Sequence, residues 1–315
     1  MKYLFFDIEC AGVFKNVAKI CAFGYCLTDE QFNILEKEDL LINPKGKFHL
    51  TDKSGEQGLV LPYEYEEFKN YPTFVECKDK IYALLEDEDT LVVGHAVMND
   101  VKYLNLESKR FRLPSFRFSF LDTQFAYMNR VGDYTKQLGL GTIAEELGVE
   151  FTPHRAVDDA YATMKVAEAL CKAENCSLTG LIEKYRITLG RIAYYEITKI
   201  TSKGAEAHAE EVAKRKELRE YCRRLFHLTV EKEKRRRNKM GKHAGKSVCF
   251  SHPMELELNA AVALVRQAFA AGLTVVGKAE ECDYYIALEG EKGARIESVK
   301  GTVFTPEKFE EFLRQ

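Results

Sequence analysis

Two acidic residues near the N-terminus, Asp7 and Glu9, follow the run Tyr3-Leu4-Phe5-Phe6 and stand two positions apart. On a β-strand that spacing projects both carboxylates from one face. Acids side by side near the end of a buried strand are electrostatically expensive unless a cation neutralises them; otherwise such a pair marks a strand emerging into solvent. Asp100 offers a third carboxylate, in the segment Gly94-His95-Ala96-Val97-Met98-Asn99-Asp100 between a short buried strand and a helix. The helix macrodipole favours an acid in that first turn whatever its function. His154 and Asp159 complete the set, in His154-Arg155-Ala156-Val157-Asp158-Asp159-Ala160. Asp159 falls in the first turn of a long helix and His154 on the loop before it. Asp158 competes with Asp159, and spacing alone leaves the choice open. Each segment has an ordinary structural explanation, but their joint order suggests chemistry. Carboxylates converging on a pair of hard divalent cations, Mg²⁺ or Mn²⁺, are what two-metal phosphodiester hydrolysis needs. An imidazole with a pKa near 6.5 can take the proton of the attacking water.

The elements that must position these groups are legible in outline. Residues 3–8 read as a strand, and the apolar runs Ile20–Leu27 and Ile34–Ile42, punctuated by Thr28-Asp29 and Asn43-Pro44, continue a strand meander. Residues 44–62 hold three Gly and two Pro and read as a mobile surface loop. Helical spacing covers residues 74–87, a short buried strand Thr90–Gly94, a helix opening at Asn99 or Asp100, a strand residues 118–122, a helix Gly141–Leu147 and a long helix from Val157. Strands first, then helices alternating with strands, predict an α/β fold with a mixed sheet and helices packed on it.

Net charge is −3 but unevenly spread. Residues 1–200 carry 24 basic against 31 acidic side chains, residues 201–245 carry 14 against 7, and residues 246–315 carry 8 against 11. The basic middle lacks Pro and is rich in Ala, Glu, Lys and Arg, which predicts a charged helical linker over residues 203–242 with a narrow apolar stripe at Leu218, Cys222, Leu225 and Phe226. Gly241–Gly245 reads as a hinge. No apolar run approaches the ~20 residues a membrane span needs. Asp7 and Glu9 interrupt the N-terminal apolar run before a signal sequence could form. The expectation is a cytoplasmic protein. Nine scattered cysteines with no CxxC pair point to reduced thiols rather than a disulfide framework or structural zinc.

Phe6-Asp7-Ile8-Glu9, the Gly94–Asp100 segment with Leu104, and the His154–Ala160 segment resemble, in order and spacing, the three motifs of the DEDDh 3′–5′ exonucleases, the family of the proofreading epsilon subunit of bacterial DNA polymerase III. Leu121-Asp122-Thr123 also resembles a recurrent segment of that family. The resemblance spans about residues 3–172 and implies a ribonuclease-H-like fold. It implies that Asp7, Glu9, Asp100 and Asp159 bind two Mg²⁺ or Mn²⁺ ions and that His154 is the general base. The family's five-residue step from histidine to aspartate selects Asp159 over Asp158. The implied product is a nucleoside 5′-monophosphate. The chain departs from the pattern at Cys10-Ala11-Gly12, Ala96 and Asn99, which bear on substrate grip rather than on the ligands.

In the linker, Lys234, Arg235, Arg236, Arg237 and Lys239 form a cluster able to neutralise phosphates, or to serve as the solvated face of a spacer. Residues 246–315 resemble a BRCT domain, carried by Lys246–Ser251, Ala271-Gly272, Cys282–Ile286 and Thr305–Phe309, with Phe309 or Phe312 in place of the usual Trp. Ser251 and Arg295 fall near positions that bind phosphate in some members, although a plain surface hydroxyl and a solvated arginine are the simpler reading. The expected organisation is an exonuclease domain over residues 1–200, a basic helical linker over 201–245 and a BRCT-like domain over 246–315. The expected function is trimming of DNA from its 3′ end, with nucleic acid as partner, DNA before RNA, and a possible protein partner for the last module. An exoribonuclease and a non-catalytic end-binding adaptor are the alternatives.

Overall fold

Strand β1 (Lys2–Phe14) explains why the sheet is covered on both faces. Its alternate residues Tyr3 and Phe5 enter one apolar core while Leu4, Phe6 and Ile8 enter another, and all five are buried. The computed structural model describes residues 1–49, 61–150 and 155–315. β1 pairs antiparallel with β2 (Val17–Asp29), which pairs antiparallel with β3 (Ile34–Leu41). A 3₁₀ turn at Tyr65–Asn70 and helix α1 (Phe74–Leu85) follow, then β4 (Thr90–Gly94), α2 (Met98–Arg110), β5 (Phe118–Asp122), α3 (Thr123–Val131), α4 (Leu140–Glu146), α5 (Ala156–Glu174) and α6 (Leu178–Tyr185). The short strands β6 (Ile187–Thr188), β7 (Gly190–Ala193), β8 (Glu196–Thr198) and β9 (Thr201–Ser202) lead into helix α7 (Lys203–Lys234).

The sheet order is β3-β2-β1-β4-β5-β7-β8. β4 and β5 run parallel to β1, while β7 returns antiparallel to β5 and β8 antiparallel to β7, so the sheet is mixed. Helices α1 and α2 pack on the face of Leu4 and Phe6 through Phe74, Ile81, Val101 and Leu104. Helices α3 to α6 pack on the face of Tyr3 and Phe5 through Ala126, Ile143, Met164, Leu170 and Leu181. This is the mixed α/β sheet flanked by helices that the pattern of elements predicts.

Compact units are Met1–His208 and Ala209–Gln315. In the second, β10 (Ser247–Phe250), α8 (His252–Leu256), α9 (Leu258–Ala270), β11 (Thr274–Val275), β12 (Tyr284–Ile286), α10 (Ala294–Glu297), β13 (Thr302–Phe304) and α11 (Pro306–Arg314) follow the end of α7. Its four strands are all parallel, in the order β11-β10-β12-β13. Phe226 and Val230 join its core with Val248, Leu264, Phe269 and Phe309.

Three expectations for the basic segment need correction. The helix stops at Lys234, not near residue 242. Beyond it the backbone donates to the end of α9 instead, Asn238 N–H to Phe269 O (3.0 Å) and His243 N–H to Ala271 O (2.8 Å). Gly241, expected in a hinge, lies so close to this helix end that a Cβ would come within 2.5 Å of the Ala271 carbonyl carbon. Of the expected stripe on α7, Phe226 is buried and Cys222 and Leu225 are half-buried, but Leu218 is 62% exposed and Val230 is covered instead.

Candidate active site

Asp7 and Glu9 project from the same face of β1, and the first turn of α5 brings Asp159 over them. One carboxylate oxygen from each of Asp7, Glu9 and Asp159 lies within 4.8 Å of the others. The reason this helix can come so near is Gly24. It stands directly opposite Asp7 on β2, and a Cβ there would lie 2.0 Å from the Ala156 carbonyl carbon and the Val157 nitrogen. A glycine inside a strand marks such an approach of another backbone. Immediately after Glu9 the β1–β2 register shifts at Cys10, a bulge of the kind that re-aims side chains beside a site.

Asp100, in the first turn of α2 and 7% exposed, is not one of that trio but lies close enough to act electrostatically on Asp7. The loop that presents Asp100 is braced by Asp122. This buried carboxylate accepts the backbone N–H groups of Ala96 (3.0 Å) and Val97 (3.1 Å) and those of Gln124 (2.9 Å) and Phe125 (3.3 Å). It therefore caps α3 and fixes the β4–α2 turn at once. Thr123 adds a bond from its hydroxyl to Gly94 O and contacts His95 Nδ1 at 2.9 Å. Burial holds the His95 imidazole down at about 4, so it is a neutral strut in this turn. Ala96 holds a left-handed backbone, φ +50°.

Electrostatically the cluster is unbalanced. Burial, then Asp100, Asp159, Glu9 and Asp39, push the Asp7 carboxyl well above its usual range. Asp100 is pushed well up by burial and by Glu9 and Asp122, against the backbone N–H of Ile8, which favours its ionised form. Burial with Asp159 and Asp39 raises Glu9 to about 8. Among the described residues, the groups that raise Glu9 and Asp7 are further acids, and an external cation would favour their ionised forms. All-oxygen donors fit a hard divalent ion, and Asp7, Glu9 and Asp159 could hold one with Asp100 beside them.

The proposed base His154 lies outside the described residues. Asp158, the competing acid, points elsewhere, with an oxygen 3.8 Å from Lys37 Nζ. Asp39 and Tyr63 adjoin the cluster, and the motifs gave no sign of them. Tyr63 O–H donates to Asp39 Oδ2 (3.1 Å) and accepts the Ala156 N–H (3.2 Å).

In the basic segment, Lys234 sits 3.6 Å from Glu231. Arg236 lies 3.3 Å from Glu233, which also receives Arg266 at 3.2 Å. Arg237 donates to Thr274 Oγ1. Lys232, Lys234, Arg235, Arg237 and Lys239 line one depression with Glu231. In the C-terminal unit Ser251 is buried rather than a surface hydroxyl. It caps α8 through the Met254 N–H and donates to Glu291 at 2.7 Å. Arg295 is engaged by His252 Nε2 (2.7 Å) and Gly277 O (2.9 Å). Among the described residues no helix is long and apolar enough to cross a membrane.

Residues 4–167, which include the whole carboxylate cluster, match the RNase_T family model, described as Exonuclease. The chain belongs to the exonuclease family. Over 79 residues, 25% of its length, the chain is 37% identical to DNA polymerase III subunit epsilon of Aquifex aeolicus (strain VF5), and the match spans 39% of that protein's length. Solved structures similar to the chain include a full-length 3′-exonuclease (16% identity, TM-score 0.49, 64% of this chain and 90% of that one). They also include the nuclease domain of 3′hExo, a DEDDh family member, bound to rAMP (19% identity, TM-score 0.47, 56% and 93% covered). Exonuclease I is similar at 18% identity and TM-score 0.47, with 59% of this chain and 43% of that one covered.

Proposed function

We propose that the exonuclease domain hydrolyses DNA from the 3′ end by a two-metal mechanism, releasing nucleoside 5′-monophosphates in repair or replication. The observation that carries this reading is the convergence of Asp7, Glu9 and Asp159 oxygens within 4.8 Å. Asp100, buried in the same electrostatic neighbourhood, is the fourth acid. These four would hold two divalent ions, Mg²⁺ or Mn²⁺. When bound, such ions offset the charge that develops on the attacking and leaving oxygens. The protein's own contribution is position. β1 fixes Asp7 and Glu9, the Asp122 brace fixes Asp100, and the close approach at Gly24 fixes Asp159. His154, five residues before Asp159 in the sequence, would take the proton of the attacking water.

DNA is favoured over RNA by the likeness to a DNA polymerase subunit and by the BRCT-like reading of residues 246–315. The parallel four-stranded sheet supports that reading, with buried Phe309 where the resemblance places a Trp. We assign this module to protein or DNA-end contact. The basic depression of Lys234, Arg235, Arg237 and Lys239 is assigned to contact with nucleic acid, with Arg236 bound instead to the buried Glu233.

The test is cleavage of 3′- and 5′-labelled single-stranded DNA and matched RNA with Mn²⁺, Mg²⁺ or EDTA. Metal-dependent shortening from the 3′ end is expected, faster on DNA. Faster RNA cleavage would make the protein an exoribonuclease. Binding of both polymers without cleavage would make it an end-binding adaptor and overturn the reading.

A further inference from the structure

Three residues line up across the sheet beneath the start of α5. Asp7 on β1 stands opposite Gly24 on β2, and Gly24 stands opposite Asp39 on β3. Residues directly opposite in antiparallel ladders share a face. The helix start therefore crosses the sheet over a bare glycine with an aspartate on either side. Asp7 belongs to the carboxylate trio; Asp39 does not.

Asp39 is occupied in another way. Its side chain is only 9% exposed. Its Oδ2 accepts from the Tyr63 hydroxyl at 3.1 Å and from Arg155 Nη2 at 3.3 Å, while its Oδ1 is buried and finds no partner among the described residues. The Tyr63 hydroxyl has one proton, directed to Asp39, and its lone pair takes the N–H of Ala156 at 3.2 Å. Ala156 is the first residue of α5, and the first N–H groups of a helix find no acceptor within it. No side chain of the helix's own capping residue, Arg155, serves that end. The cap comes instead from Tyr63, on a separate segment, backed by a carboxylate on β3.

We propose that Asp39 and Tyr63 are positioning residues of the hydrolytic site: their hydrogen-bonded clamp holds the first turn of α5 down over Gly24 and so sets how close Asp159 comes to Asp7 and Glu9. The proposal rests on the reading of those three acids as metal ligands. The rest of α5 is fixed by Ala160, Met164 and Leu170 in the core, so the clamp governs the helix's first turn, not the presence of the helix. Groups that orient ligands from behind typically matter by about 10–100-fold in metal affinity or activity.

The experiment compares wild type with Tyr63→Phe, Asp39→Ala and Asp39→Asn in the full chain. Mn²⁺ half-saturation is read without substrate, by calorimetry and by the shift in melting temperature; kcat and KM are read on a labelled oligonucleotide. Tyr63→Phe and Asp39→Ala should weaken Mn²⁺ binding about 10-fold or more and lower kcat about 10–100-fold, with KM changed less than about twofold. Asp39→Asn retains an oxygen that can accept from Tyr63 and should recover most of both. Variants that melt lower yet keep wild-type Mn²⁺ half-saturation and kcat would overturn the proposal by leaving a merely structural role. An Asp39→Asn as defective as Asp39→Ala would overturn it in favour of a direct effect of the charge. A wild type that binds Mn²⁺ but cleaves nothing counts against the proposed function alone, since the Mn²⁺ comparison still decides the clamp. A wild type that binds no Mn²⁺ overturns both.

Discussion

Replacing Gly24 with alanine adds one methyl group, and the geometry says what it must displace. The new Cβ would lie 2.0 Å from the Ala156 carbonyl carbon and the Val157 nitrogen and 2.4 Å from the Ala156 oxygen, where ordinary contacts begin at 3.4 Å. The obstacle is backbone on both sides, so no side chain can swing aside. The first turn of α5 must move outward by roughly 1.4 Å, the difference between those distances, and Asp159 is in that turn. A displacement of about 1 Å of a catalytic group costs on the order of 100-fold in turnover, while forced overpacking costs about 1–3 kcal/mol of stability. Gly24→Ala should therefore fold, melt lower, shorten DNA about 100-fold more slowly and need more Mn²⁺. Gly190→Ala supplies the comparison, because a Cβ there would meet the Phe120 ring at 2.2 Å on β7, away from the carboxylates. It should lose stability yet keep turnover per folded molecule. Wild-type turnover and Mn²⁺ dependence in Gly24→Ala, or an equal loss of turnover in Gly190→Ala, would refute the argument.

Asp7→Asn and Asp159→Asn should abolish cleavage with the fold intact, and His154→Ala should slow cleavage while Mn²⁺ still raises the melting temperature; retained cleavage in either Asn variant would sink the ligand assignment. In EDTA, stability should fall as pH rises. The Glu9 carboxyl is raised from its ordinary 4.5 to about 8, so between those values the folded state holds a proton that the unfolded state releases, and folding becomes less favourable as pH increases through the window. Mn²⁺ favours the ionised form and should flatten this slope; denaturant titrations from pH 5 to 8 with equal slopes in EDTA and Mn²⁺ would contradict it. Ala96→Gly should stabilise the chain by roughly 0.5–1 kcal/mol, since a left-handed alanine costs about 1–2 kcal/mol and the looser unfolded chain of a glycine offsets part of the gain. Urea unfolding checks this, and a loss of stability would mean that the Ala96 methyl makes a contact worth more than the strain.

The carboxylates were legible in the sequence because their chemistry and order are local. A strand period of two puts Asp7 beside Glu9, and a helix start follows each of the other motifs. The sheet was legible for the same reason, through apolar runs such as Ile20–Leu27. What stayed hidden depends on contacts between distant segments. Helix α6 and strands β6 to β9 are short, and periodicity is weak over so few residues. The end of α7 at Lys234 is set by acceptors on α9, which no helix propensity in residues 235–242 reveals. Asp39 and Tyr63 carry ordinary side chains in ordinary contexts, on a strand and beside a loop. Only the β2–β3 register and the path of α5 bring them to the site.

Asp122 makes the same point from the other direction. Its segment was recognisable, yet its purpose was not, because among the described residues its four hydrogen bonds run to backbone N–H groups and two of those lie in the β4–α2 turn. Such bonds leave no mark on the identity of Ala96 or Val97. They also help explain how this site can hold several acids close together. Repelling carboxylates would separate if their elements were free to yield, and each here is held by backbone: Asp100 by a braced turn, Asp159 by a helix seated over Gly24, Asp7 and Glu9 by a central strand. The divalent ions of the proposed mechanism would relieve that repulsion.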